Sequence, residues 1–166
     1  MNKPTKFYSS IQENQIADYL GWKVVKGGGA RDCYPGDIQN DRFLGECKTH
    51  TTVSDKIFFY IDHWNKICDE ASSRFKFPVL FVDDGSQLID HTWVLTLDAA
   101  FHLSSVSRYN FPYDRKTNII MPSTQMKDVI DKLTDSNKSP VIFVIEVDGR
   151  SLAITDLPTF AKVFER

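Results

Sequence analysis

A segment of helical periodicity followed by a short apolar run most constrains the fold of this chain. In residues 55–71, mainly apolar side chains recur at three- and four-residue spacing, which predicts an amphipathic helix. These side chains are Ile57, Tyr60, Ile61, Trp64, Ile67, Cys68 and Ala71. Residues 77–82 then have the length and the apolar character of a buried strand. The chain is therefore expected to fold as an α/β protein.

The residues before this helix predict one more helix and three strands. Ser10 followed by Glu13 is a capping-box pattern, and it predicts a helix that ends at Gly21. Residues 22–25 are expected to form a strand and residues 27–36 a turn-rich loop. Asn40-Asp41 predicts a tight turn between two hairpin arms. The predicted order is α-β-β-β-α-β, with a mixed central sheet flanked by helices.

The second half of the sequence shows a similar alternation. Strands are predicted at residues 92–97 and 141–147, helices at residues 98–103 and 123–135, and a loop at residues 108–118. Asp148-Gly149 indicates a hairpin turn, and Asp156-Leu157-Pro158 starts a terminal helix. The length of 166 residues and the apolar content of 42% predict one domain, residues 1–166. Its core spans about residues 9–82, and residues 83–166 form a C-terminal α/β extension.

Charge and segment patterns limit the class of protein. The formal net charge of −2 argues against a strongly basic DNA coat protein but leaves room for an enzyme with a local basic patch. The chain has no apolar run of about eighteen residues, and its first residues lack the layout of a secretory signal. We therefore expect a soluble, cytoplasmic protein that does not enter a membrane.

Two acidic residues and a lysine lie around the predicted hairpin. Hydrolysis of a phosphodiester requires charge neutralisation and a positioned water, and a hard cation held by carboxylates provides both. Asp37 and Glu46 offer the oxygen ligands that Mg²⁺ prefers. Because side chains alternate along a strand, Lys48 is expected on the face of Glu46 and Cys47 on the opposite face. Alternatively, Asp37 is a turn residue, and Glu46 and Lys48 form an ordinary surface ion pair.

The ordered combination of P-G-D-I at residues 35–38, G-E-C-K at residues 45–48 and the surrounding elements resembles the PD-(D/E)XK nuclease superfamily. Within it, the sequence looks most like the archaeal-type Holliday junction resolvases and their phage relatives, over about residues 9–82. The resemblance implies a restriction-endonuclease-like core. It also implies that Asp37 and Glu46 bind Mg²⁺ or Mn²⁺ together with the Cys47 carbonyl, and that Lys48 is the catalytic lysine.

The two helices of the predicted core contribute further candidates. Glu13 matches the first-helix glutamate of such enzymes, which usually contacts the metal through water; alternatively, it only completes the capping box with Ser10. His63 takes the position where these resolvases often carry a glutamine, which is a departure from the family pattern. It is either a donor to phosphate or to the attacking water, or a solvated surface residue. Lys66 is a candidate for DNA contact.

The loop before the hairpin and a second loop offer further DNA contacts. Lys26 and Arg31 flank the glycine run at residues 27–29, which would let the backbone approach a phosphate closely. A flexible loop without a ligand is the alternative for the glycines. The second loop suits either a DNA contact or a plain surface, and its basic and aromatic residues are Arg108, Tyr109, Tyr113, Arg115 and Lys116.

The resemblance implies a structure-selective DNA endonuclease that acts on branched or four-way junctions and leaves 5′-phosphate and 3′-hydroxyl ends. Junction resolution needs two symmetric nicks, so it also implies a homodimer with two active sites. Two alternatives remain open, because one fold serves many functions. One is a restriction-type or repair nuclease on duplex DNA, and the other is a DNA-binding protein that keeps the fold without catalysis.

Overall fold

The computed structural model of this chain describes residues 5–26, 35–113 and 118–164. Its helices in these ranges are α1 (Thr5–Leu20), α2 (Ile61–Ser72), α3 (Ser123–Asn137) and α4 (Leu157–Phe164). Its strands there are β1 (Lys23–Val24), β2 (Ile38–Gln39), β3 (Phe43–Lys48), β4 (Lys56–Phe59), β5 (Phe77–Asp83), β6 (Thr92–Leu97), β7 (Ser107–Asn110), β8 (Ile119–Pro122), β9 (Val141–Val147) and β10 (Arg150–Asp156). Short 3₁₀ helices at Ile89–His91 and Asp98–Phe101 flank β6.

The strands of the described segments form one large sheet and one small ribbon. The large sheet has eight strands in the order β1-β2-β3-β5-β6-β10-β9-β7, and β4 pairs with β8 in the ribbon. The β3–β5 and β7–β9 pairs are parallel, and the other pairs are antiparallel. The predicted α/β class with a mixed central sheet flanked by helices is confirmed.

Helices cover both faces of the large sheet. Side chains alternate between the two faces along each strand, so each face carries apolar side chains that a helix buries. On one face, Trp64 of α2 belongs to the same buried cluster as Leu80 of β5. On the other face, Ile16 of α1 and Phe160 of α4 share a buried cluster with Phe81 of β5. Burial on both faces explains why β5 is a continuous apolar run rather than an alternating one.

Strand β3 lies inside the sheet, between β2 and β5. The β2–β3 hairpin pairs Ile38 with Gly45, and its turn is held by Asn40, whose Oδ1 accepts hydrogen bonds from the backbone N–H groups of Arg42 and Phe43 at 2.9 and 2.7 Å. The Asn40-Asp41 turn is thus present as predicted. Helix α2 carries the chain from β3 and β4 to β5, which runs parallel to β3.

The predicted helix at residues 55–71 is wrong at its beginning. Residues Lys56–Phe59 form β4, and the helix begins only at Ile61. Ile57 and Phe59 are fully buried while the intervening Phe58 is less so, which is the two-residue period of a strand. Pairing with β8 stabilises this strand, and β4 is therefore an extra element between β3 and α2 in the predicted order.

Two further predictions of local structure need correction. Helix α1 begins at Thr5, so Ser10 lies inside the helix and does not cap it. The predicted loop at residues 108–118 overlaps β7, which ends at Asn110 and whose pairing with β9 extends the sheet at its edge. The pairing of β7 with β9 joins segments more than thirty residues apart, so the local pattern at residues 108–118 does not contain it.

The remaining predicted elements of the C-terminal half are present. They are β6, α3, β9, the Asp148-Gly149 turn and α4. The carboxylate of Asp156 caps α4 by accepting the Thr159 backbone N–H at 2.9 Å. No helix in the described parts of the chain combines the length and the apolar character needed to cross a membrane.

Candidate active site at the carboxyl end of strand β3

Glu46 and Lys48 lie on one face of β3, as the strand period predicts. The Lys48 Nζ atom is 2.7 Å from Glu46 Oε1. The Glu46 side chain is only 5% exposed, whereas that of Lys48 is 38% exposed, so the carboxylate is buried and the ammonium group reaches solvent. Cys47 points to the opposite face and packs in the cluster beneath α1 and α4. The strand therefore presents a buried acid beside an accessible cation.

Asp37 is fixed against the end of β3 through its backbone and its side chain. Its N–H donates to the Gly45 carbonyl at 2.8 Å, and its Oδ2 accepts the Cys47 N–H at 2.8 Å. The N–H and C=O groups of one strand residue face the same neighbour, so the Cys47 carbonyl also faces the side of Asp37. Asp37, Glu46 and this carbonyl thus meet at one end of the hairpin.

Glu13 approaches the same place from α1. Burial, followed by the charges of Asp37 and Glu46, raises the pKa of Glu13 from 4.5 to about 7. Burial and the charge of Glu46 likewise raise the pKa of Asp37 from 3.8 to about 6. Because Ser10 does not cap α1, the capping-box alternative for Glu13 falls away. The three carboxyl groups are therefore close enough to repel one another.

Lys66 extends from α2 into this group of charges. Its Nζ lies 3.3 Å from Glu46 Oε1 and 3.6 Å from Glu70 Oε1. Partial burial opposes protonation, but the two carboxylates outweigh it and raise the pKa of Lys66. Lys66 therefore contacts the buried Glu46 carboxylate and is a second cation beside Lys48.

His63 lies one turn before Lys66 on the same helix. Partial burial and then the ammonium group of Lys48 lower the pKa of His63 below its usual 6.5. Its ring packs edge-on against Tyr60 at a centroid distance of 5.3 Å. The imidazole is therefore neutral near pH 7, a form that can both accept and donate a hydrogen bond.

Two residues of the site escaped the sequence analysis. Glu70 accepts the Gly36 N–H at 2.9 Å through Oε2, so it connects the segment before Asp37 to the Lys66 ammonium group. Gln12 is 2% exposed and donates to the Lys48 carbonyl at 2.8 Å through Nε2. The i, i+3 and i+7 spacing of His63, Lys66 and Glu70 was a readable signal of one helix face, whereas Gln12 had no such signal.

The residues predicted to contact DNA do not form one cluster in the described parts of the chain, unlike the acidic residues of the site. Lys26 is exposed and follows Val25, whose N–H bonds to the Asp37 carbonyl at 2.7 Å, so it lies at the same edge. Arg31 lies outside the described residues, as do residues 27–29 and 115–116. Arg108 pairs with Asp98 at 3.0 Å and lies in β7, not in a loop.

The donor set fits a hard divalent cation. Two carboxylates and a backbone carbonyl are oxygen ligands of the kind that Mg²⁺ uses when it keeps several waters. In residues 5–26, 35–113 and 118–164, no three His, Cys, Asp or Glu side chains are grouped closely enough to hold an ion by themselves. A cation here would therefore depend on Asp37, Glu46, the Cys47 carbonyl and water.

No protein-family model, curated protein or solved structure matches the chain. The candidate site is therefore defined by its own residues and geometry.

Proposed function

We propose that this protein is a metal-dependent DNA endonuclease of the PD-(D/E)XK type, with Asp37, Glu46 and Lys48 at its active site. One observation carries the proposal. Three carboxyl groups, two of them with pKa values raised to about 6 and about 7, converge with two lysines at the carboxyl end of β3. Perturbed acids beside an accessible lysine are typical of catalytic sites. Such repulsion between buried acids lowers the stability of the fold, so a site with only a structural role would gain nothing from it.

Asp37, Glu46 and the Cys47 carbonyl would hold Mg²⁺ or Mn²⁺, and Glu13 would contact it through water. When bound, such a cation neutralises charge on the phosphate and lowers the pKa of a coordinated water. The crowding of the acids supports this proposal. Repulsion among three carboxyl groups is relieved either by protons or by a cation, and a cation relieves it at neutral pH.

Lys48 and His63 supply the groups that meet the substrate. The Lys48 ammonium group is partly exposed, so it can donate to a phosphate oxygen or orient the attacking water. Its contact with Glu46 fixes its direction. His63 is neutral near pH 7 and lies on the same side, where it can accept a proton from water or donate to the phosphate.

Lys66 and Glu70 hold this arrangement together. Lys66 and Lys48 both form an ion pair with Glu46. The buried Glu46 carboxylate therefore keeps Lys66 as a counter-ion when Lys48 contacts the substrate. Glu70 fixes the Gly36 N–H and thereby the approach of the chain to Asp37. These residues position the others rather than react.

The proposed substrate is branched DNA, in the manner of a Holliday junction resolvase, with cleavage to 5′-phosphate and 3′-hydroxyl ends. A homodimer is part of the proposal, because symmetric nicking of a junction needs two active sites. A cytoplasmic location is also part of the proposal. The support for this finer assignment is the resemblance of residues 9–82 to that family.

The test is a cleavage assay with purified protein and Mg²⁺ or Mn²⁺. Four-way junctions, flaps, linear duplex, single strands and RNA are offered at equal concentration, each with EDTA as the control. Preference for the junction is the expected result. Comparable cutting of linear duplex at one sequence indicates a restriction-type or repair nuclease instead.

Site variants separate catalysis from binding in the same assay. Lys48→Ala and Asp37→Asn are expected to stop cleavage while DNA binding persists, and Glu146→Gln serves as an exposed acid far from the site. If the wild type cuts no substrate with either metal, the result favours a DNA-binding protein that keeps the fold without catalysis. If Lys48→Ala cuts normally, the proposed site is wrong.

A further inference from the structure

A polar pocket lies at the opposite end of β3 from Glu46. It has a volume of about 510 Å³, within the range of ordinary ligand pockets. Three basic side chains and three serines line it, and we call it the basic pocket: Arg42, Ser104, Ser105, Lys138, Ser139 and Lys162. Arg42 and Lys48 are six residues apart on an extended strand, so the two sites are roughly 20 Å apart.

Among the described residues, the charged side chains that line the basic pocket are all basic. Its lining contains no acidic residue among those the structure describes. Neither Arg42, Lys138 nor Lys162 forms an ion pair with a carboxylate in the described parts of the chain. The whole protein has a formal net charge of −2, so this local excess of positive charge is not a general property of its surface. Cations that share a concave surface without counter-ions attract an anion.

Arg42 is held in one orientation. Its guanidinium carbon lies 5.3 Å from the Phe43 ring centroid, 5.4 Å from that of Phe77 and 5.3 Å from that of Phe164. One of its terminal nitrogens donates to the Ala100 carbonyl at 2.8 Å. The other donors of the guanidinium fork form no hydrogen bond within the parts of the chain that the structure describes. A fixed guanidinium loses little freedom when it binds an anion, which favours phosphate and carboxylate recognition.

Lys138 occupies a position that would suit glycine better. It ends α3 with φ +54° and ψ +24°, the left-handed conformation in which glycine has no steric cost. A lysine at this position strains the backbone, and what it adds is an ammonium group at the rim of the basic pocket. The hydroxyls of Ser104 and Ser105, which have no hydrogen-bond partner among the described residues, add neutral donors nearby.

We propose that the basic pocket binds a phosphate group. Tetrahedral phosphate oxygens match several cationic donors and hydroxyl donors at once. The phosphate belongs either to a free phosphorylated molecule or to a nucleic-acid backbone. This inference does not depend on the proposed nuclease activity, because the basic pocket and the acidic site lie at different ends of β3.

The test measures binding in EDTA, without cleavage. Inorganic phosphate, deoxythymidine monophosphate and a short DNA duplex are titrated by calorimetry into the wild type and two variants, Lys138→Gly and Lys162→Gln. Each variant is expected to weaken binding of the preferred probe about tenfold, since each removes one charge-assisted contact. Lys132→Gln, an exposed lysine of α3 outside the basic pocket, is the matched control and should bind as the wild type does.

Lys138→Gly also distinguishes a loss of binding from a loss of folding. It relieves the left-handed strain, so its melting temperature should not fall below that of the wild type. Preference for phosphate or the mononucleotide identifies a free phosphorylated ligand, and preference for the duplex with a salt-dependent affinity identifies a nucleic acid. Absence of binding by all three probes, or equal binding by the wild type and both variants, overturns the proposal.

Discussion

Glu13→Gln is expected to stabilise the protein at alkaline pH when no divalent cation is present. The pKa of Glu13 is raised from 4.5 to about 7 by burial and by its acidic neighbours Asp37 and Glu46. The folded protein therefore binds this proton more tightly than the unfolded chain does. Its stability falls as the pH rises from about 4.5 to about 7 and stays at the lower value above that range. The neutral amide removes this loss.

The size of the effect follows from the two pKa values of Glu13. The difference between 4.5 and about 7 corresponds to at most ~3.4 kcal/mol, at 1.36 kcal/mol for each pH unit. Glu13 retains some contact with solvent, which screens the repulsion, so about 1–2 kcal/mol is the reasonable expectation. For a chain of 166 residues this raises the melting temperature by roughly 2–8 °C.

The assay is thermal unfolding of the wild type, Glu13→Gln and the control Glu146→Gln in EDTA, at about pH 5 and about pH 8. Glu13→Gln should exceed the wild type clearly at the higher pH and much less at the lower. Added Mg²⁺ should stabilise the wild type more than Glu13→Gln, because Glu13 is a proposed water-mediated contact of the cation. If Glu13→Gln is destabilised equally at both pH values, Glu13 makes a favourable structural contact, and its charge is not destabilised by burial and by Asp37 and Glu46.

Three further predictions concern other parts of the molecule. Lys48→Ala should lower the cleavage rate by about 10²–10⁴-fold and change DNA affinity less than about tenfold, as measured by single-turnover cleavage and fluorescence anisotropy. Gly45→Ala should cost about 1–3 kcal/mol in urea unfolding, because its Cβ would lie 2.7 Å from Phe81 Cε2; an unchanged midpoint would contradict the packing. Lys138→Gly should raise the free energy of unfolding by about 0.5–1 kcal/mol, and a decrease would show that the lysine does more than strain the helix end.

The placement of Asp37, Glu46 and Lys48 could be predicted from the sequence, because these residues lie close together along the chain. Asn40-Asp41 predicts a turn, the turn predicts a hairpin, and the hairpin brings Asp37 to Glu46 and Lys48. Each step involves residues only a few positions apart, so local geometry determines the result. The same reasoning predicted that Glu46 and Lys48 share a face, and their ion pair at 2.7 Å has that arrangement.

The parts that depend on distant partners could not be read in this way. Lys56–Phe59 fits a helical pattern as well as an alternating one, and only the pairing with Ile119–Pro122 decides for a strand. Ser10 and Glu13 match a capping box, yet α1 continues through them to Thr5. Gln12 joins the site through the Lys48 carbonyl, a contact between residues 36 positions apart. Local sequence patterns span far fewer residues and therefore could not predict this contact.

The glycine before Asp37 illustrates a consequence for mutational scanning. Gly36 has a φ of +69°, and a Cβ there would lie 2.8 Å from the Cγ and Cδ1 atoms of Leu44. A smaller residue at position 44 would relieve the crowding but not the left-handed backbone. A screen scored only by activity is therefore expected to rank Gly36 with Asp37, although Gly36 is needed for its small volume and left-handed backbone, and Asp37 is proposed to act through its charge. Scoring abundance beside activity separates the two kinds of requirement within a single four-residue motif.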